Sequence, residues 1–185
     1  ILVTGGNGFI GSRVVRLLCD QGKRVRCLLR ETSDTGRIDD LDVERCIGDV
    51  RDSASLGEAM RGVSGVIHLA SVSSWEEIRS ELLEETIVEG TRIVLDTARQ
   101  AGPLRIVLVS SSVAVNASNL PRVFDETSPF ELESTPLRYA IAKHQAEQMG
   151  FQAAGEGLDV VIVNPAEVCG PDDTGFITAG NIRDI

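Results

Sequence analysis

The chain opens with ILVTGGNGFIG (residues 1–11), in which three apolar residues run into a stretch that is rich in glycine. The apolar run predicts a buried strand, and residues 8–22 carry apolar side chains at helical spacing. Between strand and helix, Gly5 would permit a tight turn, Gly8 would let backbone N–H groups approach a pyrophosphate, and Gly11 would let the two elements pack closely. We therefore expect a dinucleotide-phosphate site here, with an ordinary glycine-rich turn as the alternative.

The rest of the chain repeats this alternation of apolar runs and helical segments. Runs rich in Val, Ile and Leu recur at 1–3, 24–29, 43–47, 65–70, 105–110 and 158–163. Apolar residues at three-and-four spacing cover 8–22, 53–62, 76–102 and 138–155. Such alternation predicts an α/β fold with three layers, a Rossmann-type doubly wound parallel sheet between helices. Residues 113–137 contain three prolines and no sustained period, so we expect a long loop of functional importance.

Composition excludes several classes of function. The chain has 185 residues, 42% of them hydrophobic, and a formal net charge of −10, which argues against a nucleic-acid partner. The four cysteines and two histidines lack metal-ligand spacing, so we predict no metal site. No stretch of about 18 apolar residues or secretion signal is present, so we expect a cytoplasmic protein that does not enter a membrane. A small-molecule substrate fits this composition, and a homodimer is left open.

The end of the predicted second strand addresses the choice of cofactor. Arg30 lies 19 positions after Gly11, where a dinucleotide-binding fold recognises the adenosine ribose. A carboxylate there would bind the 2′-hydroxyl of NAD, whereas a guanidinium suits the 2′-phosphate of NADP. Arg37, in the following loop, would supply a second charge. We therefore predict NADP, and Glu31 leaves NAD as the alternative.

A catalytic group is predicted on the last helical segment. Tyr139, the only tyrosine, lies four residues before Lys143, one of two lysines, so both side chains share a helix face. A nearby ammonium stabilises a phenolate and moves the phenol toward proton exchange at neutral pH. Three serines at 110–112 end a strand, where one hydroxyl would hold a substrate carbonyl and at least one other would satisfy the turn.

Taken in order, the motifs of this chain resemble those of the extended short-chain dehydrogenase/reductase family, most closely its dihydroflavonol-reductase-like branch. The motifs that carry the resemblance are TGGNGFIG (4–11), Arg30, GDVRD (48–52), VIHLAS (66–71), VSSS (109–112), YAIAK (139–143) and NPAEVCGP (164–171). The ordered set covers essentially the whole chain.

The resemblance implies a cofactor site made of four groups of residues. The pyrophosphate would be held by Gly5, Asn7, Gly8, Phe9, Ile10 and Gly11. Adenine would lie on Asp49 and Val50, the middle of the cofactor on Leu69, Ala70 and Ser71, and the nicotinamide side on Pro165 and Val168.

The resemblance also implies the catalytic roles. Ser111 matches the family's catalytic serine, with Ser112 as the alternative next to the substrate. Tyr139 would donate the proton, and Lys143 would also bind the nicotinamide ribose hydroxyls. Asn116 falls where flavonoid reductases place an asparagine that contacts the substrate.

These roles predict an NADP-dependent oxidoreductase that reduces a ketone or aldehyde of a small organic substrate. Two alternatives stay open: an NAD-dependent nucleotide-sugar epimerase or dehydratase, and a dinucleotide-binding protein without catalysis. Ile87 stands where many relatives have an asparagine, which puts an asparagine proton relay in doubt. We expect residues 1–171 to form the dinucleotide-binding domain and residues 172–185 to begin a substrate-binding region that is cut short.

Overall fold

A computed structural model describes residues 1–72, 75–171 and 173 of the chain. Its core is a six-stranded, fully parallel sheet with the strand order β3-β2-β1-β4-β5-β6. The strands are β1 (Leu2–Thr4), β2 (Arg26–Leu29), β3 (Glu44–Ile47), β4 (Gly65–His68), β5 (Arg105–Val109) and β6 (Asp159–Val163). All six predicted strands are present, which confirms the Rossmann-type fold.

Helices cover both faces of this sheet. They are α1 (Phe9–Asp20), α2 (Ser53–Met60), α3 (Trp75–Arg79), α4 (Leu82–Glu84), α5 (Gly90–Ala101) and α6 (Arg138–Gly155). Adjacent residues of a strand point to opposite faces. Leu2 therefore packs with the helices α2, α5 and α6, whereas Val3 packs with α1 through Val15. The two apolar clusters give the three expected layers.

The prediction of one continuous helix over 76–102 is wrong, because the structure has several shorter helical segments there. Ser80 interrupts it, because its hydroxyl donates to the carbonyl of Glu77 and accepts from the backbone N–H of Leu82, which ends one helix and starts the next. A π-helical turn (Glu85–Glu89) then joins α4 to α5. This turn buries Ile87 against α6, in the apolar cluster that also contains Leu83.

The long loop over 113–137 agrees with the prediction, since its only regular structure among the described residues is a 3₁₀ turn at its start (Ser112–Ala114). The expected substrate-binding start at 172–185 lies outside the described residues except for Asp173. The strand order reverses between β1 and β4, and in open parallel sheets ligands bind at the carboxyl ends of strands at such a point. This edge is where the predicted site residues meet.

Candidate active site

The glycine stretch forms the turn from β1 into α1. Gly5 has a φ of +68°, and a Cβ atom there would lie 2.8 Å from backbone atoms of Leu69 and Ala70. A Cβ atom on Gly11 would overlap the carbonyl oxygen of Gly5. No side chain caps the first turn of α1, which begins after Gly8, so its N-terminal N–H groups face the turn without a side-chain partner. Bare backbone and a helix N-terminus together suit an anion.

Two other chain segments border this turn. After β4, the N–H of Leu69 donates to the Thr4 carbonyl (3.1 Å) and the N–H of Ala70 donates to Thr4 Oγ1 (3.2 Å), which sets these two residues beside Gly5. On the α1 side, Arg13 donates to the Pro171 carbonyl at 3.1 Å. The turn is therefore enclosed by the segments to which the sequence assigned the cofactor.

The segment after β6 continues around the same edge. The carbonyl of Pro165 accepts from the backbone N–H of Ser112 (2.9 Å), and Val168 is half-buried farther along. Gly170 then passes the ring of Phe9, because a Cβ atom at Gly170 would lie 3.5 Å from Phe9 Cζ. Pro165 and Val168 thus lie in the segment that follows β6 and comes into contact with the start of α1 at Phe9.

Arg30 is exposed at the end of β2, and within the described residues its guanidinium makes no hydrogen bond or salt bridge. Its backbone is fixed by Ser33, whose hydroxyl accepts from the N–H of Arg30 at 3.0 Å. The side chain of Asn7 donates to the Asp34 carbonyl (2.9 Å) and so ties this loop to the glycine turn. Arg37 is half-buried in the same loop and is engaged within the protein.

Beyond β3, an open cavity of about 460 Å³ is lined by Asp49, Arg51, Asp52, Glu85 and Glu89. The carboxylate of Asp49 accepts from Arg51 Nε (3.0 Å) and Nη2 (2.9 Å), which holds the pKa of this carboxyl below its usual value. Val50 is buried in the sheet core and lies against Gly90. Asp49 therefore borders the cavity, whereas Val50 is part of the buried apolar core.

Tyr139 lies in the first turn of α6, half-buried in the apolar cluster around Ile87. Burial raises the pKa of its phenol, and the hydroxyls of Ser71 and Ser111, which face it, lower it in part. Ser71 Oγ is fully buried and has no hydrogen-bond partner within the geometric limits among the described residues. The fold thus brings together three predicted site residues from three different elements.

Lys143 is 6% exposed and lies one helical turn after Tyr139. Its Nζ donates to the carbonyl of Val109 (3.1 Å) and stands 5.8 Å from the centroid of the Tyr139 ring. Burial lowers the pKa of Lys143 to about 8, and the carboxylate of Glu147 opposes this. The sequence predicted that Lys143 would lower the pKa of Tyr139. Burial of the phenol outweighs any such effect, so Tyr139 holds its proton at neutral pH.

The three serines at the end of β5 have different surroundings. Ser110 is buried, and its hydroxyl has no hydrogen-bond partner among the described residues. Ser111 faces Tyr139. Ser112 begins the 3₁₀ turn, with its N–H bound to the Pro165 carbonyl at 2.9 Å.

A buried histidine supports the floor of the site. Nδ1 of His68 lies 2.7 Å from Thr4 Oγ1, and its Nε2 lies 3.2 Å from Thr91 Oγ1. Burial lowers the pKa of His68 to about 3, and the charge of Lys143 adds to this. The imidazole is therefore neutral at physiological pH and links β1, β4 and α5 without carrying charge.

The loop over 113–137 is fastened to the site at two points. Asn116 is buried, and its Nδ2 donates to the Pro129 carbonyl at 2.7 Å. The ring of His144 stacks on Phe130 with 3.9 Å between centroids, and its Nδ1 lies 2.9 Å from the Ala114 carbonyl. Asn116 thus organises the loop, and its contact with a substrate stays a prediction.

Comparison with known proteins places this geometry in a family. The family model described as "NAD dependent epimerase/dehydratase family" matches residues 1–183. The chain belongs to this family. Among curated relatives, "Sterol demethylase protein B" of Methylococcus capsulatus is 39% identical, and the match covers 93% of this chain and 52% of that protein. A "Putative dihydroflavonol 4-reductase" of Synechocystis sp. is 36% identical over 97% of this chain and 52% of its own length.

Solved structures of the family agree with the fold. The dTDP-glucose 4,6-dehydratase DesIV of Streptomyces venezuelae, a structure that contains NAD, is 31% identical and has a TM-score of 0.83 over 99% of this chain and 62% of that chain. The chain spans about half the length of the curated relatives it matches. As a member of this family it carries a Rossmann fold of the NAD(P)-binding kind, and the recognition made from its motifs is confirmed.

The described part of this family member contains neither a candidate membrane-spanning helix nor a candidate metal-binding cluster. None of its described helices combines the length and apolar character that crossing a membrane requires. No group of three or more His, Cys, Asp or Glu side chains in the described residues could hold a metal ion.

Sequence reasoning missed several residues that shape the site. Arg51, which fixes Asp49, stands two positions from it within the quoted motif GDVRD, so spacing could have suggested the pair. His68 lies within VIHLAS, but its buried contacts with Thr4 and Thr91 join residues distant in the chain. A local sequence pattern does not predict contacts between residues that are so far apart in the chain.

Proposed function

We propose that this chain is the NADP-binding and catalytic part of a reductase that converts a ketone or aldehyde of a small organic substrate to an alcohol. One observation carries the proposal. At the carboxyl edge of the sheet the phenol of Tyr139 faces the hydroxyls of Ser71 and Ser111, and the buried ammonium of Lys143 lies one helical turn away. The names of the relatives support it, since they include a putative dihydroflavonol 4-reductase.

The residues at the edge of the sheet fit a dinucleotide. Gly5 and Gly11 let the backbone of this turn pack closely where a Cβ atom would collide with it, next to the uncapped N-terminus of α1, which suits the pyrophosphate. The guanidinium of Arg30 makes no hydrogen bond or salt bridge among the described residues and suits a 2′-phosphate. The cavity beside Asp49 would take adenine. The remaining residues proposed to contact the cofactor are Asn7, Gly8, Phe9, Ile10, Arg37, Val50, Leu69, Ala70, Ser71, Tyr139, Lys143, Pro165 and Val168.

The chemistry follows from the protonation states of the side chains. Bound NADPH supplies a hydride to the carbonyl carbon of the substrate. Tyr139 donates its proton to the carbonyl oxygen, and it holds that proton at neutral pH because burial raises its pKa. Ser111 orients the same oxygen by donating a hydrogen bond, with Ser112 as the alternative. Lys143 carries a positive charge when the pH is below about 8, and this charge stabilises the phenolate left after proton transfer.

The nucleotide-sugar alternative would use the same three side chains with a retained NAD. The NAD-containing dehydratase DesIV keeps this alternative open. The unpaired guanidinium of Arg30 argues against it, since an ionised carboxylate is the group that suits the 2′-hydroxyl of NAD. A cytoplasmic location and a homodimer stay predictions from the sequence.

The test is a carbonyl-reduction screen of the full-length protein with NADPH against ketones, aldehydes and dihydroflavonols. We expect one class to be reduced, and Tyr139→Phe to lower kcat by about 10²–10⁴-fold because the proton donor is lost, while NADPH binding is retained. Purified protein that holds NAD and interconverts a nucleotide sugar would favour the epimerase or dehydratase. Binding of NADPH with no turnover of any class would indicate a protein that only binds the cofactor.

A further inference from the structure

A buried carboxylate lies next to the proposed catalytic group and has no part in the chemistry described so far. Glu147 is on α6, one helical turn beyond Lys143, and is only 5% exposed. Within the described residues it makes no salt bridge, and its Oε2 accepts a hydrogen bond from Asn164 Nδ2 at 2.6 Å. Burying a carboxylate is costly unless it is well paired. An apolar side chain would fill the same space at lower cost.

Asn164 connects this carboxylate to the proposed catalytic serine. The same Nδ2 donates to the backbone carbonyl of Ser111 at 3.0 Å, so its two hydrogens bridge α6 and the end of β5. On either side the backbone is already fixed, because Ser110 N–H donates to the Val163 carbonyl and Ser112 N–H donates to the Pro165 carbonyl, both at 2.9 Å. The side chain of Asn164 thus holds the peptide of Ser111 between two backbone hydrogen bonds.

Glu147 also interacts electrostatically with the ammonium of Lys143, which lies one helical turn before it on α6. The titratable groups around that ammonium are Tyr139 and Glu147 on its own helix and His68 on β4. Tyr139 holds its proton at neutral pH, and His68 is neutral because its pKa is about 3. Of these three groups, only Glu147 raises the pKa of Lys143, through its electrostatic interaction with the ammonium. It opposes the burial that lowers the pKa of Lys143.

We propose that Glu147 is a positioning residue for the reaction, which fixes the backbone of Ser111 through Asn164 and sets the electrostatic surroundings of Lys143 one helical turn away. The proposal rests on the proposed function, because Ser111 and Lys143 act there on substrate and cofactor.

The first test measures Lys143 directly in the Glu147→Gln variant. Lys23 and Lys143 are the only lysines of this chain, so isotope-labelled lysine gives few NMR signals, and Lys143→Arg assigns the one of interest. We expect the titration midpoint of Lys143 to fall by about one pH unit when the opposing charge is removed. The high-pH limit of kcat should fall with it, and NADPH affinity at pH 6 should not change, because the lysine is protonated there in both proteins.

Glu156→Gln is the matched control, since Glu156 is an exposed glutamate that follows the end of the same helix and pairs with Arg99. It should leave the Lys143 midpoint unchanged. An unchanged midpoint in a folded Glu147→Gln protein, judged by its melting temperature, would overturn the proposal. If the Lys143 midpoint falls but the protein reduces no carbonyl, the interaction between Glu147 and Lys143 is supported and the proposed function is refuted instead.

The second test examines the connection to Ser111 with a double-mutant cycle. Asn164→Leu removes both hydrogen bonds at similar volume, and we expect it to lower kcat about as strongly as Ser111→Ala with little change in NADPH affinity. The double variant should lose no more activity than Ser111→Ala alone, because the two residues act on one hydroxyl. If the fold-loss in kcat of the double variant equals the product of the losses of the two single variants, Asn164 does not act through Ser111.

Discussion

Replacing Arg30 with aspartate should reverse the cofactor preference. Its guanidinium gives up no hydrogen bond or salt bridge within the described residues, so its full interaction is available to a 2′-phosphate. A charge-assisted hydrogen bond of this kind contributes about 1.5–3 kcal/mol. At about 1.4 kcal/mol per tenfold, Arg30→Asp should weaken NADPH binding by about 10–150-fold. The nearby Asp49 carboxylate, whose charge Arg30 no longer offsets, should repel the 2′-phosphate and add to this loss. The new carboxylate at position 30 offers a hydrogen-bond acceptor to the 2′-hydroxyl of NADH.

The assay is a fluorescence titration of each protein with NADPH and NADH at two salt concentrations. Arg24→Asp is the matched control, because it makes the same charge change at an exposed position that precedes the other end of β2. The control should keep the wild-type affinities, and the salt dependence of NADPH binding should weaken in Arg30→Asp alone. Equal NADPH affinity in wild type and Arg30→Asp would refute the assignment of Arg30.

Three further predictions test the site and its support. Ser111→Ala should lower kcat by about 10²–10³-fold and Ser112→Ala far less, and the reverse ranking in the same assay would move the role to Ser112. Gly5→Ala and Gly22→Ala both place a side chain at positive φ, at +68° and +70°, but only Gly5 meets backbone at 2.8 Å. Urea denaturation should therefore show a cost of about 1–2 kcal/mol for Gly22→Ala and a further 1–3 kcal/mol or so for Gly5→Ala, and equal costs would contradict the crowding. Between pH 8 and about 10.4 the unfolded chain binds more protons at Lys143 than the folded chain does. The free energy of unfolding of the wild type, measured relative to that of Lys143→Met, should therefore rise with pH by up to about 3 kcal/mol. A difference that does not change with pH would refute the lowered pKa of Lys143.

Local patterns in the sequence predicted most of the fold. A strand that runs into Gly5 and Gly11 has few alternatives to a tight βα turn, because both positions exclude a side chain. The six apolar runs were sufficient for the parallel sheet, since each strand is bounded by a helical segment or a loop. The helix over 76–102 was predicted as continuous because the apolar spacing persists through Ser80, whose hydroxyl competes with the backbone for hydrogen bonds.

The candidate site was predictable in its residue types but not in its energetics. Tyr139 and Lys143 share a helix face by spacing alone, yet the pKa of the phenol depends on how deeply the fold buries it. Glu147 was overlooked because a glutamate on a helix is ordinarily a solvated residue. Its bond to Asn164 joins positions 17 residues apart, and only the packing of α6 on β6 brings them together.

The most direct test of the central claim follows the hydride itself. The full-length protein is given NADPH deuterated at the transferred position, together with the carbonyl compound that the screen identifies, and the product is examined by mass spectrometry. We predict that one deuterium appears on the new carbinol carbon at the rate of NADPH oxidation, and that Tyr139→Phe slows this transfer by about 10²–10⁴-fold while the protein still binds NADPH. NADPH that binds without transferring deuterium, or transfer that proceeds equally well in Tyr139→Phe, would contradict the reductase assigned to Ser111, Tyr139 and Lys143.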